Sequence, residues 1–247
     1  MQSIDEVLAK FKYIVDGCQE DNDKLGYFPA LYMGVTARIK EEISRNSFED
    51  SKRMERFVIS FANMYFEAYH AYLGKDPHHS LSWRSTFQYV DTFWPIVFQH
   101  LLAGMNTHIN LDLGVATAKI DVDNIDDFKN DFNRINEILS RHVEKVQEDL
   151  AEIWPGLRFL LRLAGRADDY LIDFSMKKAR DGAWKFAKEL HATPEDQQEA
   201  FIKTRDEKVS KNLKIISKPG FFVSFLFMII RVFERGSRAD KIARLRD

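Results

Sequence analysis

Between Pro95 and Ala118 the chain reads PIVFQHLLAGMNTHINLDLGVATA, and His108 and Asp112 stand four residues apart within it. On a helix of about 3.6 residues per turn that spacing makes the two side chains neighbours. A histidine beside a carboxylate is an acid–base pair. The imidazole titrates near neutrality, and the carboxylate orients one ring nitrogen while the other is left to meet a substrate. The alternative chemistry is a zinc-type hydrolase in which His108 and Asp112 both ligate a divalent metal. A catalytic zinc asks for about three protein ligands, and no second segment offers a clean His/Glu pair at the required spacing. The metal-free reading is therefore preferred.

Other polar residues sit on apolar helical faces. In DDYLIDFSMKKARDGAWKFAKEL, Arg180 and Asp173 share a face with Met176, Ala183, Trp184 and Ala187. A buried arginine demands a carboxylate or an anionic ligand. An internal ion pair with Asp173 or Asp112 is preferred, and an anionic group of a substrate is the alternative. Asn106 and Asn110 point away from His108, among Leu102, Ala103 and Leu113, and are expected to tie neighbouring backbones together. Asn136 falls inside the stripe of Phe128, Phe132, Ile135, Leu139 and Val143, with Asp131 at its flank, while Asn63 shares a helical side with His70. No glycine-rich phosphate loop, GxSxG elbow or HExxH motif is present, so no nucleotide cofactor is expected.

The elements that must position these residues are helices, because apolar residues recur near a period of 3.6 and only 11 Gly and 6 Pro interrupt them. Ser3 caps a first helix reaching about Gln19, and a second runs from about Pro29 to Ser44. Ser47, followed by Glu49 and Asp50, opens a third to Leu73. After the loop GKDPHHSLS, Ser82 and Trp83 start a segment that Pro95 interrupts and restarts. The helix from Pro95 to Ala118 is apolar all round and so central. A helix of roughly 25 residues then ends near Trp154, and another spans about Asp168 to His191. Thr193, Pro194, Glu195 and Asp196 give a capping hydroxyl, a first-turn proline and acids for a helix ending near Ser217. The expected fold is all-α, with about eight to ten helices in one domain over residues 1–247, wrapped around the 95–118 helix.

Composition narrows the function classes. Lys plus Arg (36) nearly balance Asp plus Glu (38), and the charges are dispersed, so no nucleic-acid partner is expected. The basic cluster from Arg231 to Arg246 reads as a solvated helix end. Cys18 is the sole cysteine, which excludes an internal disulfide and fits a reducing, cytoplasmic setting. GFFVSFLFMII at 220–230 is too short for a membrane span of about 20 residues. An apolar helix over about 219–235 is read as core, with peripheral membrane contact as the alternative.

The segment LAGMNTHINLDLGVA at 102–116 resembles the signature of a bacterial family, domain-of-unknown-function family 5995. FANMYFEA at 61–68, Trp83, DFNRIN at 131–136 and the Ala179, Arg180, Ala183, Trp184 pattern follow in that family's order, so the resemblance covers roughly residues 30–190. Thr107 stands where alanine is usual. The resemblance singles out Asn63, Asn106, His108, Asn110, Asp112, Asp131, Asn136, Arg180 and Trp184, and implies no activity. The expectation is an enzyme or binder for a small, partly apolar molecule. His108, Asp112 and Arg180 would be its catalytic set, and Asn63, Asn106, Asn110, Asp131, Asn136 and Trp184 its substrate contacts. A non-enzymatic scaffold or membrane-surface protein is the alternative.

Overall fold

A computed structural model describes residues 1–76, 80–138, 176–218 and 220–246. All regular structure among the described residues is helical. The order is α1 (Ile4–Glu20), α2 (Tyr27–Ser44), α3 (Ser51–Leu73), α4 (Leu81–Val90), α5 (Val97–Thr107), a π-helical turn (His108–Asp112) and α6 (Leu113–Ala118). After a 3-10 turn at Ile125–Phe128, the residues 129–138 are helical and form α7. Then come α8 (Met176–His191), α9 (Glu195–Ser217), α10 (Phe221–Phe233) and α11 (Arg238–Arg246). The expected partner residues Asp173, Leu139 and Val143 lie outside the described residues.

Local chemistry explains most boundaries. Ser3 Oγ accepts from Glu6 N at 3.3 Å, and Val7, Phe11, Ile14 and Val15 form the buried face of α1. Helix α3 starts one turn later than Ser47 suggested. Asp50 is its cap, accepting from Arg53 N at 2.9 Å, and the carboxylate outcompetes the upstream serine because it can reach a free first-turn N–H. Thr193 does not cap α9: its hydroxyl donates back to Glu189 O at 2.7 Å and so closes α8, while Glu195 and Asp196 still face the positive end of α9.

The α5–α6 stack is the axis of the fold. It begins at Val97 rather than Pro95, with Ile96 N donating to Gln99 Oε1 at 3.2 Å. Leu101, Leu102, Ala103, Leu111, Leu113, Val115 and Ala116 are all buried, as a helix apolar on every side requires. α2, α4 and α9 pack around α5, and α3 and α8 around α6. Two glycines set how closely they approach. A Cβ on Gly104 would stand 2.4 Å from the Phe28 ring of α2, and one on Gly114 2.5 Å from the Phe186 ring of α8. The core reading of α10 holds for one face only: Phe227 and Ile230 are buried, whereas Phe221, Phe225, Met228 and Val232 face solvent.

Candidate functional site

The straight helix expected over 95–118 is interrupted where its polar residues lie. Leu113 N donates to His108 O, five residues back, so one turn is wound with an extra residue. Such π-turns are rare and tend to occur at functional sites. Here the turn is packed on all sides, with His108, Ile109, Leu111 and Asp112 buried.

Within the turn, His108 Nδ1 lies 2.9 Å from Asp112 Oδ2. The same oxygen accepts the indole N–H of Trp83 at 2.9 Å. Trp83 is an obligate donor, so Asp112 accepts from both sides, and the imidazole proton is held on Nδ1. That leaves His108 Nε2 as a bare lone pair. It is buried and has no hydrogen-bond partner among the described residues. Burial lowers the proton affinity of His108, against the pull of Asp112, and raises that of Asp112, against its hydrogen bonds from His108 and Trp83. The imidazole is therefore neutral at physiological pH.

Aromatic rings enclose this pair. Phe61 of α3 stacks on the imidazole with centroids 3.8 Å apart and planes 8° apart. Tyr32 of α2 approaches at 4.4 Å and Phe28 at 5.7 Å, edge-on. Tyr32 is buried, its hydroxyl is unpartnered among the described residues, and both burial and the charge of Asp112 keep it protonated. Phe28 and Phe61 are only half-buried, whereas the imidazole they contact is buried. Sequence patterning placed Phe61 and Trp83 on helices but assigned neither to this pair, and no pattern signalled Tyr32 or Phe28. A π-turn also leaves no mark in apolar spacing, since it changes winding and not residue type.

The other expected site residues sit on α3, α7, α8 and the central stack, and their described contacts are with groups other than the imidazole. Arg180 is buried on α8 and its Nη1 donates to Asn136 O at 3.2 Å, which joins α8 to α7. Burial lowers its proton affinity to about 10, still well above neutrality. Helix α8, which carries Arg180, also packs against the π-turn. Asn136 is half-buried at the α7–α8 junction. Asp131 serves the α2–α3 connection: it accepts from Glu49 N at 2.7 Å and from Arg53 Nη2 at 2.9 Å, a fully buried carboxylate satisfied by backbone and guanidinium. Trp184 packs on Phe132 at 4.9 Å with Lys129 Nζ over its ring at 4.1 Å.

Asn106 and Asn110 act as expected of structural amides. Asn106 Nδ2 donates to Val209 O of α9 at 3.1 Å, and Asn110 Nδ2 donates to Asn106 Oδ1 at 3.2 Å. Asn63 lines a surface cleft of about 620 Å³ between α3 and α6, with Ser60, Glu67 and Lys119, away from the imidazole. Among the described residues the donors for the metal alternative are limited. His108 Nδ1 and Asp112 Oδ2 bond each other, and the described residues contain no group of three His, Cys, Asp or Glu able to hold a metal ion.

Comparison with known proteins gives one match. The model of a family described as "Family of unknown function (DUF5995)" covers residues 4–219. No curated protein and no solved structure matches the chain.

Proposed function

We propose, for a chain that belongs to the DUF5995 family, that it takes a small, partly apolar molecule carrying a hydroxyl group against His108, with the imidazole as acceptor and general base. The observation that carries this reading is the buried, unpartnered Nε2 of an imidazole whose other nitrogen is held by Asp112 and, through it, by Trp83. Leaving a buried acceptor unsatisfied costs about 1–3 kcal/mol. A fold that retains that cost on its central helix has a use for the lone pair.

The surroundings support a hydroxyl in particular. The Tyr32 ring lies 4.4 Å from the imidazole, and its hydroxyl, a donor, is like His108 Nε2 unpartnered among the described residues; an alcohol or phenol O–H both donates and accepts. The rings of Phe28, Tyr32 and Phe61 suit an apolar body. Asp112 is the positioning residue, and Phe61, stacked on the imidazole and half exposed, is the cover a ligand would displace. Arg180 has no part in this reading because its described hydrogen bond serves the α7–α8 junction.

Phenol and toluene test the proposal, being alike in shape and different in hydrogen bonding. With imidazole-labelled protein, phenol is expected to shift the His108 Nε2 nitrogen resonance out of the unprotonated range, toluene to leave it in place, and Phe61→Ala to increase the phenol response. A His108 signal insensitive to phenol in both the native and the Phe61→Ala proteins, each still folded, would show that the lone pair is merely core or served by a water.

A further inference from the structure

The outward face of α10 carries an interaction of a different kind, resting on other residues than His108. Phe221, Phe225, Met228 and Val232 are 91%, 50%, 43% and 73% exposed, and they recur every three or four residues along one side of the helix. Their spacing marks an amphipathic helix whose second apolar face has no partner among the described residues.

This stripe is extended by the turn before α5. Phe93 and Trp94 are 65% and 64% exposed. The turn is held to α10 by the Arg231 guanidinium, 5.2 Å from the Phe93 ring, and by Val97 N donating to Glu234 Oε1 at 3.1 Å. Two separate segments thus place large apolar side chains on one side of the molecule.

Charge identifies what would cover them. From Lys208 to Arg238 the chain carries seven Lys or Arg and one acid, Glu234, in a protein whose net charge is −2. Glu234 is paired with Arg231 and Lys241, at 2.7 and 2.8 Å, so these three groups together still carry one net positive charge. Lys218 precedes α10 and Arg235 and Arg238 follow it, all exposed, and Lys211, Lys214 and Ile215 are exposed on the last turns of α9, the helix that leads into it. An apolar stripe flanked along the chain by exposed cations, with an exposed tryptophan on the turn bonded to it, matches the chemistry of an anionic bilayer surface. Apolar side chains enter the headgroup boundary, and lysines and arginines meet lipid phosphates and carboxylates.

We propose that α10 and the Phe93–Trp94 turn dock this protein peripherally on anionic membranes. No described helix is long and apolar enough to cross a bilayer, so docking is by adsorption at the surface. The stripe inserts Phe221, Phe225 and Trp94, and the lysines of α9 supply the electrostatic attraction.

Vesicle sedimentation with the full chain tests this, using phosphatidylcholine vesicles with and without phosphatidylserine. The protein should partition onto the mixed vesicles and not onto phosphatidylcholine alone, with a blue shift of Trp94 emission that is lost in Trp94→Phe. Lys214→Glu with Lys218→Glu should weaken partition, roughly fivefold for each cation removed from the surface. Phe221→Ser with Phe225→Ser should abolish it while leaving the melting temperature unchanged, since both side chains already face solvent. Three outcomes would overturn the proposal: no phosphatidylserine-dependent partition, unchanged partition of the double serine variant, or self-association in sedimentation equilibrium that the double serine variant removes, which would make the stripe a contact between copies of the chain.

Discussion

The most telling residue is Trp83, because the hydrogen bonding of the His108–Asp112 pair depends on it. Its indole N–H is the second donor to Asp112 Oδ2, and without it a fully buried carboxylate would rest on His108 alone. Trp83→Phe preserves much of the ring packing with Tyr65 and Phe87 but removes that donor. The expected result is a loss of about 1–3 kcal/mol in urea unfolding. A second consequence distinguishes a polar network from simple packing. With one donor gone, Asp112 binds its proton more readily, and the Nδ1 proton of His108 is held less firmly, which nitrogen spectra of the labelled imidazole report. The residue types of His108 and Asp112 and their spacing of four were enough to pair them. Trp83 could not be joined to them from sequence, since a contact across 29 residues between crossing helices leaves no periodic trace.

Among the elements, the approach of α2 to α5 decides how tightly the imidazole is enclosed. Gly104 permits it, because a side chain there would meet the Phe28 ring at 2.4 Å. Gly104→Ala is expected to cost about 1–3 kcal/mol by overpacking, and Phe28→Ala about 3–5 kcal/mol by leaving a void. The double variant should cost less than the two together, because each substitution supplies the space the other disturbs. A double-mutant cycle by chemical denaturation measures that coupling, and strict additivity would contradict the contact. The start of α4 shows the same dependence on distant chain. Asp206 of α9 accepts from Leu81 N and Ser82 N and from the hydroxyls of Ser80 and Ser82, which seats the helix that carries Trp83. In the sequence Asp206 looks like one more charge on a solvated helix.

At the scale of the whole molecule, acid stability reflects how completely the fold buries His100. His100 is enclosed near the Tyr27 and Tyr89 rings, and burial, reinforced by the positive charges of Lys24, Arg231 and Arg238 and opposed by the Pro95 carbonyl, lowers its proton affinity from 6.5 to about 3. The unfolded chain takes up that proton first as the pH falls. His100 therefore contributes nothing to the pH dependence above about 6.5, and it destabilises the native state progressively between about 6.5 and 3, by up to about 1.4 kcal/mol per pH unit. His100→Phe should flatten the acid limb of stability against pH in that window while leaving its slope above pH 7 unchanged, a comparison made by thermal unfolding at stepped pH. The same distinction between local pattern and distant contact separates what could be read in advance from what could not. Helix type, most helix boundaries, the centrality of the 95–118 segment and the adjacency of His108 and Asp112 follow from residue spacing, because all of them are set by neighbours within a few positions along the chain. The π-turn, the Trp83 donor, the aromatic rings against the imidazole, the described partners of Arg180 and Asp131 and the outward apolar face of α10 were decided only when the helices packed. Each of these depends on which of several compatible faces meets which partner, a choice made by shape and buried hydrogen bonding across distant parts of the chain.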